Sequence, residues 1–111
     1  MALSVVGGLQ REVTMATYIM LANFTDQGIR GVKDTVRRAE AFTEQAKASG
    51  VTVKDIYWAL GQYDIVSVVE ASDDMAVTAL GLTIAKSGNI RTQTMRAFSK
   101  ADMTAIVGKL T

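Results

Sequence analysis

The chain contains neither histidine nor cysteine among its 111 residues. It therefore cannot form a Ser-His-Asp or Cys-His catalytic triad, and it has no imidazole to serve as a general base near neutral pH. Zinc sites built from Cys and His, iron–sulfur clusters ligated by Cys and haem held by a proximal His or Cys are excluded as well. No disulfide can form, so nothing in the sequence indicates an oxidising compartment. We expect no cofactor and no metal.

Positive and negative charges nearly cancel, and no apolar stretch is long. The chain has 12 Lys and Arg against 11 Asp and Glu, a net charge of +1. The densest basic cluster, Lys33, Arg37 and Arg38, is interrupted by acidic residues and indicates a solvated helix face, so no nucleic-acid partner is expected. No apolar run approaches the ~20 residues of a membrane span, and Met1–Gly8 is shorter than the apolar region of a signal peptide. We expect a cytoplasmic protein with no membrane partner.

The apolar periodicity predicts the order β-α-β-β-α-β followed by a C-terminal helix. Strands are predicted at Tyr18–Phe24, Val53–Gly61, Asp64–Ala71 and Ile90–Phe98, and helices between Asp26 and Gly50, between Ser72 and Ser87, and over Lys100–Lys109. Two helices on one face of a four-stranded antiparallel sheet form the ferredoxin-like arrangement, so the predicted fold class is α+β. Residues 1–15 are predicted to be a flexible tail, and residues 16–111 a single domain.

Local signals refine this prediction at two places. With a three-residue turn at Gly61–Tyr63, Lys54 would face Glu70 as an opposite-charge cross-strand pair. Ser72 is predicted to be the N-cap of the second helix, and Asp73-Asp74 to lie in its first turn, where the helix dipole favours negative charge. The only adjacent carboxylates in the chain thus have a structural explanation.

Apolar side chains are expected on both faces of the sheet, although helices cover only one. In the first strand Tyr18, Met20 and Ala22 share one face, while Ile19 and Leu21 lie on the other. An exposed apolar patch of this size usually marks an association site, and a two-fold dimer with packed sheets would bury it. We therefore expect a homodimer.

Three separated stretches resemble the GYD domain family: Tyr18–Arg30, Val53–Asp64 and Gly88–Phe98. The family's Gly-Tyr-Asp signature stands here as Gly61-Gln62-Tyr63-Asp64, with one residue inserted after the glycine. The resemblance covers about Ala16–Ser99 and implies a small bacterial protein of the dimeric α+β-barrel group. That wider group includes cofactor-independent monooxygenases and isomerases, but a shared fold alone assigns no reaction.

Polar and aromatic side chains that are hard to explain as surface residues form the predicted ligand-binding site. They are Asn23, Trp58, Tyr63, Asp64, Thr94 and Arg96. Asn23 ends the first strand, Asp64 opens the third and Arg96 lies late in the fourth, so we expect them to approach one barrel. A guanidinium beside a row of hydroxyls suits a small anionic or carbonyl-bearing ligand.

Three interpretations of these residues remain open. In the structural one, Gly61 supplies a turn conformation, Tyr63 packs over the hairpin, and Asp64 accepts amide bonds in the turn or pairs with Arg96. In the second, the chain is a homodimeric module that binds a small molecule or another protein. In the third it is a cofactor-independent, monooxygenase- or isomerase-like enzyme for a small aromatic or oxoacid substrate. Asp64 or Tyr63 would then be the acid/base, and Arg96 would hold an oxyanion.

Overall fold

The computed structural model describes residues 15–111, so the predicted N-terminal tail lies outside the described residues apart from Met15. The chain forms β1 (Ala16–Phe24), α1 (Asp26–Arg30), a 3-10 turn (Val32–Asp34), α2 (Thr35–Ala48), β2 (Val51–Trp58), β3 (Ile65–Ala71), α3 (Asp74–Lys86), β4 (Ile90–Ala97) and α4 (Lys100–Val107). The strands form one antiparallel sheet in the order β2-β3-β1-β4. The predicted α+β class and ferredoxin-like arrangement are confirmed.

The helical segment after β1 is interrupted, although its apolar stripe predicts one continuous helix. The Thr25 hydroxyl caps α1 by accepting from the Gly28 amide at 3.0 Å, and the segment breaks after Arg30. At the break the Arg38 guanidinium donates to the Gly31 carbonyl oxygen, in space that a Cβ on residue 31 would occupy. The helix that follows, α2, ends as predicted, because Gly50 takes the left-handed conformation with φ +80°.

The N-cap of α3 is Asp73, and the prediction of Ser72 is wrong. The Asp73 carboxylate accepts from the Ala76 amide at 2.9 Å, because a charged acceptor suits the positive end of the helix better than the hydroxyl one residue earlier. Helix α4 is capped by Ser99. Ser99 and Asp102 form a reciprocal capping box, with the Asp102 amide 3.1 Å from the Ser99 hydroxyl and the Ser99 amide 2.9 Å from the Asp102 carboxylate.

The predicted pairing of Lys54 with Glu70 is also wrong, because the hairpin register differs by one residue at the turn and by one more at a bulge. At the turn Ala59 faces Asp64, its amide 2.8 Å from the Asp64 carbonyl oxygen, so the predicted three-residue turn is one residue too short. Pairing shifts again between Val53 and Asp55, and Thr52 is the residue that faces Glu70. A bulge adds one residue to one strand only, and every pair beyond it changes partner.

The core lies between one face of the sheet and helices α2 and α3. Tyr18, Met20 and Ala22 of β1 are each at most 5% exposed and pack on this helix side, as their alternation predicts. They meet the remaining buried side chains, which are Ala46, Val51, Ser67, Val69, Ala71, Val77 and Leu80. The opposite face, called here the open face, presents Ile19 and Leu21, and no described helix packs extensively against it.

Candidate functional site

The family-signature loop is fastened to the end of β1 through Asp64. The Asp64 carboxylate accepts from the Phe24 amide at 2.9 Å and from the Asn23 side chain at 3.5 Å. The Asp64 amide in turn donates to the Ala22 carbonyl at 2.9 Å. The Asn23 side chain also donates to the Gln62 carbonyl, at 2.8 Å. Asn23 and Asp64 thus lie together, as predicted, but the main amide held by the carboxylate belongs to β1 and not to the turn.

Tyr63 extends from the same loop across the sheet. Its hydroxyl donates to the Gln93 side-chain oxygen at 2.9 Å, which ties the β2–β3 loop to β4 on the far side of β1. Gly61 has φ +141°, a conformation that side chains rarely adopt, in agreement with its predicted role in the turn. Asn23, Tyr63 and Asp64 therefore form one hydrogen-bonded group, called here the hairpin cluster.

Trp58 lies on the other side of the sheet from the hairpin cluster's Asn23. It pairs with Ile65 in β3, so its ring is on the helix side, and its indole N–H donates to the Thr35 hydroxyl at 2.9 Å. Because Thr35 opens α2, this bond fastens the end of β2 to the start of that helix.

Thr94 and Arg96 are separated from the hairpin cluster along β1. Arg96 pairs with Tyr18, whereas Asn23 pairs with Arg91, so five residues of strand, about 17 Å, lie between them. Thr94 pairs with Met20, and Thr94 and Arg96 are both on the helix side, as the alternation along β4 predicts. The expected convergence of Asn23, Asp64 and Arg96 therefore does not occur within one chain, and Asp64 does not pair with Arg96.

Arg96 belongs instead to a second polar group, which the sequence analysis missed. Its guanidinium lies 4.6 Å from the centre of the Phe98 ring and 5.6 Å from that of Tyr18, and it donates to the carbonyls of Thr17 and Ala97. The buried Tyr18 hydroxyl donates to the Asp74 carboxylate. This hydrogen bond raises the pKa of Tyr18 above 10.0, with burial and the negative charge of Asp74 acting in the same direction. In the sequence, Tyr18 is part of an apolar strand and Asp74 is an acid in the first turn of a helix, and nothing indicates that the two are in contact. Their contact becomes evident only once the strand register is known.

The open face of the sheet has an apolar centre, with the charged Asp55 of β2 and the polar Gln93 of β4 beside it. Its central side chains are Ile19, Leu21, Tyr57, Val66, Val68 and Met95, placed together by the strand register. Tyr57 is 59% exposed and Met95 41% exposed. The sequence-based expectation that apolar side chains extend to the uncovered face is thus correct.

A cavity of about 240 Å³ lies on the other side of the sheet, between α2, α3 and the strands. None of the predicted site residues lines it, although Trp58 bonds to Thr35 at its wall. Thr94 lies elsewhere, along a groove between α3 and β4. Within residues 15–111, no group of acidic side chains is arranged to hold a metal ion, and no helix has the length and apolar character needed to cross a bilayer.

Comparison with known proteins finds a family and a curated relative that this chain resembles. The family model described as the GYD domain matches residues 18–107, which extends past the predicted limit of Ser99 and includes α4. A relative from Thermus thermophilus, named glutamine synthetase and cystathionine beta-lyase binding protein, is 39% identical over 92 residues. The alignment covers 82% of this chain and 97% of the relative. No solved structure matches the chain.

Proposed function

Because the chain belongs to the GYD domain family, we propose that it is a homodimeric module that binds another protein. The observation that carries this proposal is the open face, whose apolar centre no described helix covers extensively. Water in contact with such a surface is released when a second surface covers it, which is the main driving force of association. The open face is proposed to pack against the same face of a second copy.

Its size supports a dimer of moderate strength. Four strands at ~4.8 Å spacing and about seven residues at ~3.3 Å give a flat area of roughly 440 Å² per copy, or roughly 900 Å² for both. Stable specific interfaces bury about 1,200–2,000 Å² in total. Side-chain relief adds to the flat figure, so the two faces approach the lower end of that range. We therefore expect a dimer that dissociates on dilution within the micromolar range.

The proposed protein partner is a glutamine synthetase or a cystathionine beta-lyase. The name of the Thermus thermophilus relative and its alignment over 97% of its length support this partner class. Helix α4 is the proposed contact, because it leaves Met103 and Val107 exposed at 46% and 55% and makes no extensive contact with the sheet.

Self-association is tested by light scattering on a dilution series. Leu21→Lys places a charge at the centre of the open face, and we expect a monomer at concentrations where the wild-type chain is a dimer. Leu82→Lys is the matched control, because Leu82 is 68% exposed on α3, away from the open face. A wild-type monomer at high concentration, or a Leu21→Lys variant that stays dimeric, would contradict the proposed interface.

Partner binding is tested by calorimetry with purified glutamine synthetase and cystathionine beta-lyase from the same organism. We expect saturable binding of at least one enzyme, weakened by Val107→Lys on α4 and unchanged by Leu82→Lys. Absence of heat with both enzymes would refute this partner class. Equal effects of the two substitutions would refute α4 as the contact while leaving the partner intact.

A further inference from the structure

The cavity on the helix side of the sheet results from small side chains and diverging helices. Ala22 forms part of its floor and Ala39 part of its wall, where larger residues would fill the space. Helix α2 packs mainly on β2 and α3 mainly on β4, so the two helices leave a gap above β1. The exposed side chains Gln45, Thr83 and Ser87 mark the opening of the cavity between the helices.

The volume limits the ligand to a small molecule. At about 240 Å³ the cavity exceeds the ~150 Å³ that suffice for benzene, and it is smaller than the ~300–1,000 Å³ typical of drug-sized ligands. One ring with a short substituent fits this range. Phe24, Phe42 and Ile65 are among the apolar side chains that would surround the ring.

The charge of the lining selects an anionic substituent. Among the described residues that line the cavity, Arg38 is the only charged one. A guanidinium has five N–H donors, and one of the Arg38 donors is used on the Gly31 carbonyl. Within residues 15–111 no carboxylate lies within ion-pair distance of Arg38, in contrast to the neighbouring Arg37, which pairs with Asp34 at 2.6 Å. Arg38 is therefore free to bind a carboxylate from a ligand.

A buried hydroxyl also lies on the floor of the cavity. Ser67 is 5% exposed and is the only buried polar residue in the described core. Its hydroxyl lies 3.5 Å from the Met20 carbonyl oxygen, at the outer limit for a hydrogen bond. Ser67 therefore places one polar group on an otherwise largely apolar floor.

We infer that this cavity binds a small carboxylate with a single-ring apolar body, whose carboxylate pairs with Arg38 and whose ring lies over Ser67. The inference is independent of the proposed protein-binding function, because the cavity and the open face are on opposite sides of the sheet. A bidentate pair between guanidinium and carboxylate would supply orientation, and the apolar wall would supply most of the binding free energy.

Benzoate is the test probe, and benzamide is its uncharged counterpart of nearly equal shape. Binding is followed by amide chemical shifts and by the fluorescence of Trp58, the single tryptophan, which bonds to Thr35 on the cavity wall. We expect saturable shifts at cavity residues with millimolar benzoate and weaker binding of benzamide. Arg38→Gln should lower benzoate affinity about tenfold or more, because a charge-assisted hydrogen bond is lost.

Arg37→Gln is the matched control, since it removes the same charge one residue away, outside the cavity. If Arg38→Gln fails to fold, Arg38→Lys takes its place in the test. It keeps the charge, so we expect it to retain part of the wild-type affinity for benzoate. Three results would overturn the inference: no saturable shift at cavity residues, equal binding of benzoate and benzamide, or equal effects of Arg37→Gln and Arg38→Gln. Because dimerisation and enzyme binding are measured separately, a failed proposed function leaves this test unaffected.

Discussion

Replacing Asp64 by Ala separates a structural role of the hairpin cluster from a binding role. In the wild-type chain the Asp64 carboxylate accepts from the Phe24 amide at 2.9 Å and, more weakly, from Asn23 at 3.5 Å. Truncation leaves the Phe24 amide without this partner at a half-buried position where β1 ends. The β2–β3 loop then keeps the bond from the Asn23 side chain to the Gln62 carbonyl as its side-chain attachment to β1.

The expected loss follows from the kind of bond removed. A hydrogen bond to a charged group contributes about 1.5–3 kcal/mol, and partial solvent access places this one near the middle, at about 2 kcal/mol. For a domain of this size each kcal/mol corresponds to about 4–8 °C, so the melting temperature should fall by about 8–16 °C. Asp64→Asn keeps an acceptor oxygen and loses only the charge, for which we expect about half that decrease.

Thermal and urea unfolding followed by circular dichroism measure these differences. All variants are compared at one protein concentration, because a dimer that dissociates on dilution has a concentration-dependent melting temperature. Glu40→Ala is the control, since Glu40 is an exposed carboxylate on α2, away from the open face, and should change stability by no more than about 0.5 kcal/mol. If Asp64→Ala were as stable as Glu40→Ala, the structural role would be refuted, and Asp64 would become the best candidate for ligand binding in the loop.

Two further predictions concern single residues. The pKa of Tyr18 is raised above 10.0, so the folded chain keeps this phenol neutral at a pH where the unfolded chain ionises it. The corresponding stability is fully present below pH 10 and is lost as pH rises from 10 toward the raised pKa. Tyr18→Phe should remove this loss of stability in alkaline denaturation curves. Tyr57→Phe is the control and should retain the loss. Gly61→Ala should cost about 1–2 kcal/mol in unfolding free energy, because φ +141° strains any side-chain residue although no atom lies within 4 Å of the new Cβ. Gly108→Ala, at an ordinary helical φ of −63°, is its control, and equal costs would refute the strain argument.

The strands and helices could be predicted because each kind of element has its own periodic spacing of apolar residues. Alternation in β1 identifies Tyr18, Met20 and Ala22 as one face, and each of these side chains is buried. The errors arise where a single residue changes the outcome. One residue at the turn and one at the bulge in β2 shift Lys54 out of its predicted pair. Asp73 and Ser72 are both good cap residues, so the sequence does not distinguish them, and the carboxylate of Asp73 is the one that caps α3.

The predicted site failed to converge for a reason that the topology already contained. In an antiparallel pair the end of one strand lies beside the start of its neighbour. Arg96, late in β4, therefore lies beside Tyr18 near the start of β1, while Asn23 lies at the other end of β1. Polar residues at corresponding ends of antiparallel neighbours are separated by the full strand length. The antiparallel strand directions alone are therefore enough to separate Arg96 from Asn23 and Asp64.

The cavity shows a different limit of sequence-based reasoning. Its lining includes Ala22, Ala39 and Ile65, which are ordinary core residues, and Arg38 sits in a basic run that is typical of a solvated helix face. The divergence of α2 from α3 converts these residues into a lined space, whose one guanidinium has no carboxylate within ion-pair distance among residues 15–111. Central strand β1 thereby contributes Ile19 and Leu21 to the open face and Met20 and Ala22 to the cavity floor. Because successive residues of one strand serve both surfaces, a shift of β1 on dimerisation would alter the cavity. Benzoate affinity measured across the dimer dilution series would detect that coupling.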